Sequence, residues 1–246
     1  MSHRREIHAD PDHQSITGMF GGWTAAVALS SVINASTSDA RPVSMTINFV
    51  GSIAPGSDVE LSPTMVGATR SMEHWSVAAS CGGETRAAAM IVLANRRPTE
   101  PHVEPTMPSV PAPESLERYF APGPQGQQSD IRPTAPVAFG SGDTKSSQWV
   151  RDSNGRRLDY PQLAYLADQW APRSFLWGTG LRPSATLTMS VYFLATEDEL
   201  DAVGDDYILN EGIGTRGEQS LSGQRAHLWS RNGVLLATTE QLCWYR

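Results

Sequence analysis

The sequence predicts an α+β protein made of two similar halves, in each of which an antiparallel sheet wraps around a central helix. The first observation is a connector, since ten of the 17 prolines fall between Arg96 and Pro136. Proline lacks a backbone N–H and blocks regular hydrogen-bond ladders, so this stretch separates two units. The second observation is that the order of elements, one helix and then several strands, repeats on either side of the connector. A repeated order indicates two copies of one structural unit.

Each half can be divided into a helix and strand-like runs. The first half has the helix "FGGWTAAVALSSVINAS" and the strands "VSMTINFVGSI", "VELSPTMVGAT", "HWSVAASC" and "TRAAAMIVLAN". The second half has a strand near "SSQWV" and a helix around Leu163–Trp170, followed by "TLTMSVYFLAT", "YILNEGIGTR", "SLSGQRAHLWS" and "VLLATTEQLCWY". The glycine-bearing turns "CGGE" and "RNGV" each separate the last two strands of a half, as antiparallel hairpins require.

The helix of the first half is apolar nearly all round, which is typical of a helix buried against a sheet. Two such units side by side resemble the double hotdog architecture, a pseudo-dimer within one chain. We therefore expect an N-terminal unit over residues 1–97, a proline-rich linker over 98–135 and a C-terminal unit over 136–246. Within the linker, "ESLERYF" is expected to form a short helical anchor.

Composition and charge argue against several classes of protein. The formal charge of -7 leaves no basic surface for nucleic acid or for an anionic membrane. The N-terminus lacks the apolar core of a secretory signal, and no stretch approaches the ~20 apolar residues that span a bilayer. Cys81 and Cys243 are too few for a disulfide framework, and the six histidines show no metal-ligand spacing. We expect a cytoplasmic protein without metal or cofactor.

Asp168 stands in the apolar stretch "LAYLADQWAPRSF", where a carboxylate needs partners or a function. Pro172 is expected to end this helix about one turn later, and small side chains such as Ala164 and Ala171 surround Asp168 on the helix surface. The partial negative charge at a helix C-terminus disfavours ionisation, which suits a general base. A solvated aspartate near a helix end is the alternative interpretation.

Two polar residues on predicted strands are candidates for the same site. Gln241 shares a strand face with Thr239 and Cys243, and its amide can hold a water or a carbonyl group. Thr186 begins a row of polar residues that alternates with apolar ones along "TLTMSVYF". On pattern alone the functional and structural interpretations are even for Gln241, whereas Thr186 fits an ordinary strand residue better.

Gly21 and Gly22 lie in "GMFGGW", at the start of the first helix. Bare amides at a helix N-terminus suit a carbonyl oxygen that acquires negative charge, so both residues are candidate oxyanion donors. Alternatively, the glycines allow the helix to pack closely against its neighbours.

Together these segments resemble the type II acyl-CoA thioesterases, which have a double hotdog fold. "MFGGW" is similar to the start of that family's first helix, and "LAYLAD", "ATLTMSVYF" and "NGVLLATTEQ" are similar to its three catalytic segments. The resemblance runs from about Met19 to the C-terminus. It implies that Asp168, Thr186 and Gln241 position and activate water for hydrolysis of an acyl-CoA thioester. The first half has Ile91 near the place of Gln241, so one active site per chain is expected.

Direct hydrolysis is the favoured mechanism, because no serine or cysteine lies in a nucleophile elbow. A non-catalytic acyl-CoA-binding or scaffold protein remains the alternative, since a fold does not fix a function. A hydratase would need an Asp/His pair, and no histidine lies near Asp168 in the sequence. The expected partners are an acyl-CoA substrate and further copies of the chain, because apolar strand faces such as "AAAMIVLAN" need covering.

Overall fold

The computed structural model describes residues 4–136, 140–178 and 182–246. Within these ranges the chain forms five α-helices and one sheet of eleven strands. The helices are α1 (Gly21–Ala35), α2 (Gln125–Gln128), α3 (Tyr160–Ala167), α4 (Ser174–Trp177) and α5 (Glu197–Val203). The strands are β1 (Arg5–His8), β2 (Arg41–Phe49), β3 (Asp58–Ala68), β4 (Met72–Cys81), β5 (Glu84–Ala94), β6 (Ser129–Pro133), β7 (Ser146–Asp152), β8 (Ser184–Phe193), β9 (Ile208–Glu218), β10 (Leu221–Ser230) and β11 (Leu235–Tyr245).

The strands of the two halves form one continuous antiparallel sheet, in the order β1-β3-β4-β5-β2-β8-β11-β10-β9-β7-β6. Read outward from the β2–β8 pair, β5, β4 and β3 on one side correspond to β11, β10 and β9 on the other. The sequence predicts a separate sheet for each half, and the pairing of β2 with β8 joins the two. An unpaired edge strand exposes backbone N–H and C=O groups. Here β2 and β8 pair with each other, so the backbone groups of each are hydrogen-bonded to the other half.

The β2–β8 pair is reinforced by side chains from both halves. Thr46 and Ser190 lie opposite each other in the ladder, and their hydroxyl groups are 2.9 Å apart. Arg96 follows β5, and its guanidinium donates hydrogen bonds to the carbonyl oxygens of Pro42 in one half and Phe193 in the other. The connection between the halves is therefore polar on its outer face and at one end.

Helix α1 begins at Gly21, as the sequence predicts, and packs against β2–β5 and against α3. The two helices lie close together, because a Cβ placed on Gly22 would be only 2.5 Å from the carbonyl oxygen of Tyr165. Ala25 and Leu29 of α1 are fully buried. Glycine is therefore needed at position 22 for the two central helices to meet.

Helix α3 ends earlier than predicted, at Ala167 instead of near Trp170. Asp159 caps its N-terminus, since the carboxylate accepts a hydrogen bond from the Gln162 backbone N–H at 2.7 Å. At the other end, the side chain of buried Asn210 donates to the carbonyl oxygen of Leu166 at 3.0 Å. The same carbonyl oxygen also accepts from the Gln169 backbone N–H at 3.2 Å. A residue distant in the sequence thus contributes to the cap at the end of α3.

Both predicted hairpin turns are present. Gly82 and Gly83 connect β4 to β5 with φ angles of 57° and 82°, and Gly233 lies between β10 and β11 with a φ of 84°. These angles fall in the left-handed region, which glycine adopts without steric cost. The turns set the registers of both hairpins.

The connector is more ordered than its proline content predicts. "ESLERYF" is not a helix, because only Pro113–Ser115 form a 3-10 turn. Residues 129–133, within the predicted linker, form β6 at the edge of the sheet, where Pro133 is tolerated. Three connector residues pack on a second hydrophobic cluster, built by Trp149, Tyr207, Leu209 and Trp229; the three are Met107, Val110 and Leu116.

In the described ranges, no helix has both the length and the apolar character that a membrane crossing requires.

Candidate active site

Asp168 lies where the two halves of the chain meet. It is the C-cap residue of α3, and its carboxylate faces the N-terminus of α1. The Gly22 backbone N–H faces this carboxylate and acts to lower its pKa. A Cβ on Gly21 would lie 2.7 Å from Asp168 Oδ2, so any side chain at that position would displace the carboxylate. Asp168 is only 9% exposed, and the alternative of a solvated aspartate is wrong.

Gln241 binds this carboxylate from the sheet. Its Nε2 donates to Asp168 Oδ1 at 2.8 Å and lies 3.2 Å from the sulfur of Met189, the residue opposite Gln241 on β8. Thr239 and Cys243 are buried on the same face of β11, as the alternation predicts. The structure therefore brings two of the three predicted catalytic residues into direct contact.

Gln224 of β10 sets the orientation of the Gln241 amide. Gln224 Nε2 donates to Gln241 Oε1 at 2.6 Å, and the Arg173 backbone N–H donates to Gln224 Oε1 at 3.4 Å. The side-chain oxygens of Gln224 and Gln241 each accept a hydrogen bond, so their NH2 groups are free to donate onward. Gln224 donates to Gln241, and Gln241 donates to Asp168. Sequence reasoning missed Gln224. The available signal was the "RNGV" hairpin, whose register places Gln224 opposite Gln241.

Thr186 lies beside this pair without contacting the carboxylate. Its hydroxyl is 3.8 Å from Cys243 Sγ, and within the described part of the chain it makes no hydrogen bond to Asp168 or Gln241. The predicted alternation along β8 fails here, because a register shift opposite Leu242 and Cys243 pairs Thr186 with Cys243. Such bulges re-aim side chains next to active sites. Thr186 thus contacts Cys243, and its role in positioning water stays a prediction.

Burial controls the acidity of Asp168. Loss of hydration raises the pKa of this carboxyl from 3.8 to about 7, while the hydrogen bonds from Gln241 and the Gly22 N–H act in the opposite direction. The sequence predicts that the helix C-terminus disfavours ionisation, and the pKa is indeed raised, but the cause is burial. At neutral pH the carboxyl is therefore divided between its acid and base forms.

The two glycines at the start of α1 have different roles. The Gly22 N–H faces the Asp168 carboxylate and acts to lower its pKa, and its role as an oxyanion donor stays a prediction. Gly22 also provides the close helix packing that was the alternative interpretation. Gly21 is the first residue of α1, where a backbone N–H has no acceptor within the helix. Gly21 is thus a candidate oxyanion donor, as the sequence predicts.

The corresponding position of the first half is apolar. Met189 of β8 pairs with Gln241, and Met45, at the corresponding position of β2, pairs with Ile91. Ile91 is fully buried and offers neither a donor nor an acceptor. The Asp168–Gln241 pair therefore lies in the second half of the chain, and Ile91 stands in place of the glutamine in the first half, as the sequence predicts.

The continuous sheet, the two central helices and the buried carboxylate between them define a protein of the hotdog class. The chain belongs to the acyl-CoA thioesterase family: residues 9–94 match the acyl-CoA thioesterase N-terminal domain, and residues 97–245 match the acyl-CoA thioesterase C-terminal domain. The predicted family is confirmed, and with it the class of enzyme, a thioester hydrolase.

Solved structures confirm the hotdog fold. A conserved protein of unknown function with a hot dog fold from Alicyclobacillus acidocaldarius is 30% identical, with a TM-score of 0.94 over 99% of this chain and 93% of that chain. The tesB protein of Mycobacterium avium subs paratuberculosis is 20% identical, with a TM-score of 0.81 over 99% of this chain and 93% of that chain. An acyl-CoA thioesterase II from Mycobacterium marinum is 19% identical, with a TM-score of 0.75 over 92% and 88%. No curated protein matches the chain.

Proposed function

We propose that this chain hydrolyses an acyl-CoA thioester to free acid and CoA, with Asp168 as the general base. The observation that carries the proposal is the buried 2.8 Å hydrogen bond between Gln241 Nε2 and Asp168 Oδ1. A pKa of about 7 supports this role, since proton transfer is most effective when the pKa of the base lies near the working pH. Gln241 holds the carboxylate in one orientation and, with it, orients the attacking water.

The reaction proceeds by direct attack of water. Asp168 takes a proton from the water, and the oxygen of this water bonds to the thioester carbon. The Gly21 N–H donates a hydrogen bond to the resulting oxyanion. Collapse of this intermediate breaks the C–S bond, and Asp168 returns the proton to the departing CoA thiolate. Thr186 donates a hydrogen bond to the attacking water. Its contact with Cys243, which shares the buried face of Gln241, supports this role.

A covalent acyl-enzyme is disfavoured by the state of the nearest thiol. Cys243 is two residues from Gln241 on the same strand face and is a free cysteine. Burial raises the pKa of this thiol to about 11, so it stays protonated near neutral pH. Because the thiolate is the nucleophilic form, Cys243 is a poor candidate for attack on the substrate.

We also infer that the chain is a double hotdog pseudo-dimer, with units over 1–97 and 136–246 and a linker over 98–135. The mirrored strand order about the β2–β8 pair supports this inference. Both units contribute to one active site, since Gly21 and Gly22 come from the first and Asp168 and Gln241 from the second.

Thiol release from a panel of acyl-CoAs of graded chain length tests the proposal. Asp168→Asn is expected to lower kcat by about 10²–10⁴-fold, because the variant loses its base. Asp39→Asn, at an exposed position, is the matched control and should keep wild-type turnover. Binding of acyl-CoA without any thiol release would instead support the non-catalytic alternative.

Self-association is the remaining part of the proposal. Met90 is 47% exposed and Tyr192 is 45% exposed on the outer face of the sheet, which supports pairing of chains through this surface. Light scattering that shows a strict monomer at micromolar concentration would contradict it. The cytoplasmic location, and the absence of nucleic-acid and membrane partners, remain predictions from the sequence.

A further inference from the structure

The side-chain amide of Gln241 uses both of its N–H groups within the protein. Its Nε2 carries two hydrogen atoms and lies 2.8 Å from Asp168 Oδ1 and 3.2 Å from Met189 Sδ, so each hydrogen has an acceptor. Its Oε1 accepts from Gln224 Nε2 at 2.6 Å, and the whole side chain is buried. An amide oxygen has two lone pairs. Gln241 can therefore offer the reacting groups an acceptor but no further donor.

Met189 contacts Gln241 because the two residues lie opposite each other in the β8–β11 ladder. Its side chain is fully buried, and Ile47 of β2 pairs with it on the other side. A thioether sulfur is a weak acceptor, yet an N–H that is buried without any partner costs more than a weak bond does. Met189 thus satisfies the N–H of Gln241 that does not bind Asp168.

The first half of the chain contains the same methionine without the amide. Met45 of β2 pairs with Ile91 as Met189 pairs with Gln241, and both methionines are fully buried. Ile91 has no side-chain donor, so Met45 can contribute only packing to this pair. The two methionines therefore differ in one respect, the N–H that approaches the sulfur of Met189.

We propose that Met189 is a positioning residue for the hydrolysis, because it accepts the second N–H of Gln241 and so keeps the first directed at Asp168. The inference rests on the proposed function, since it adds a residue to the same site. Without the sulfur, the amide turns toward another acceptor and its bond to the carboxylate weakens. The thioester oxygen, which receives no hydrogen bond from Gln241, depends on the backbone N–H groups at the start of α1.

The pH dependence of activity can be assigned to Asp168. Tyr165 of α3 and Cys243 of β11 are titratable groups whose pKa values respond to the charge of this carboxylate. Burial raises the pKa of both groups, that of Cys243 to about 11, so both stay protonated near neutral pH. An inflection near pH 7 therefore reports the carboxyl group.

Met189→Leu tests the proposal, since it removes the sulfur with little change in volume, and Met45→Leu is the matched control. We expect Met189→Leu to lower kcat by about three- to tenfold, as the loss of one hydrogen bond predicts, with KM nearly unchanged. Its inflection should lie at higher pH, because the bond from Gln241 lowers the pKa of Asp168. Met45→Leu should keep both values. An inflection that Met189→Leu leaves unmoved would overturn the proposal, whatever the change in kcat.

Norleucine separates the sulfur from the shape of the side chain, and it covers the case in which Met189→Leu does not fold. It replaces sulfur by a methylene group at all eight methionines and keeps the length of the side chain. Norleucine in the wild-type chain should reproduce the lower kcat and the shifted inflection. In the Met189→Leu chain it should cause no further change, and a second loss of equal size there would assign the effect to other methionines.

An NMR titration of the Asp168 carboxyl carbon decides the proposal without any turnover. The titration midpoint should lie at higher pH in Met189→Leu than in wild type and should stay unchanged in Met45→Leu. Equal midpoints in all three proteins would remove Met189 from the site. If wild type hydrolyses no acyl-CoA, the proposed function fails, and these midpoints still show whether Met189 acts on Asp168 through Gln241.

Discussion

Gln241 Nε2 lies 2.8 Å from Asp168 Oδ1, so the last strand of the sheet and the end of α3 meet at one buried carboxylate. The contact joins residues 73 positions apart in the chain. This hydrogen bond holds the carboxylate so that it faces α1 of the other half. Burial of the carboxylate raises its pKa. The first four predictions follow from this relationship, and the fifth tests Thr186 beside it.

The pH dependence of activity reports the titration of Asp168. The base form is the active one, so kcat/KM should rise about tenfold per pH unit in the acid range and level off above an inflection near pH 7. A profile measured from pH 5 to 9 on one short acyl-CoA checks this. A flat profile over this range, which an aspartate of ordinary pKa near 4 would give, would exclude a buried base.

The same pKa makes a prediction for stability. The folded-state pKa of Asp168 is raised from 3.8 to about 7, so the unfolded chain loses this proton first. The stability that the group contributes is fully present below pH 3.8 and is lost as the pH rises through about 7. Asp168→Asn should therefore gain about 2–3 kcal/mol relative to wild type between pH 5 and pH 8. Urea unfolding of both proteins at the two pH values measures it, and a constant difference would contradict burial as the cause.

Gln224 is expected to act as a positioning residue. Gln224→Met removes the donor to Gln241 Oε1 and weakens the bond that lowers the pKa of Asp168. We expect kcat to fall by about tenfold, the value of one hydrogen bond, with little change in KM and an inflection shifted to higher pH. Gln125→Met is the control, since Gln125 is also buried but lies outside this chain of bonds. A lower kcat with an unmoved inflection would indicate a structural role alone.

Gly21→Ala tests the contribution of the first half to the site. The added Cβ would lie 2.7 Å from Asp168 Oδ2 and 3.3 Å from the ring of Phe49, so the carboxylate must move. Displacements of about 1 Å in a catalytic group can lower the rate by about 10²-fold, and we expect a loss of that size in kcat. Gly67→Ala, where a Cβ meets nothing within 4 Å, should keep full activity. Equal activity in the two variants would remove Gly21 from the site.

Thr186→Val keeps the shape of the side chain and removes the hydroxyl. If Thr186 donates to the attacking water, turnover should fall by about fivefold, since a neutral hydrogen bond is worth roughly 1 kcal/mol. Thr188→Val is the control on the same strand. It pairs with Leu242, which is exposed. Equal turnover in wild type and Thr186→Val would leave Thr186 as a structural residue beside Cys243.

The sequence by itself determined the parts of this protein that depend on local pattern. The apolar run after Gly21 predicts α1, and the turns at Gly82–Gly83 and Gly233 predict two hairpins, because helix periodicity and left-handed turn angles are properties of short segments. Asp168 and Gln241 were candidates on local pattern, and the resemblance of their segments to the thioesterase family selected them over the structural alternatives.

Tertiary structure decided everything that depends on which segments meet. Asn210 helps to cap the end of α3, and the pairing of β2 with β8 merges two predicted sheets into one. A register shift opposite Cys243 places Thr186 beside that residue, and the strand opposite Gln241 provides Gln224. The physical reason is that hydrogen-bond partners and dehydration are set by contacts between residues far apart in the chain. The raised pKa of Asp168 arises from such burial, which no local pattern encodes.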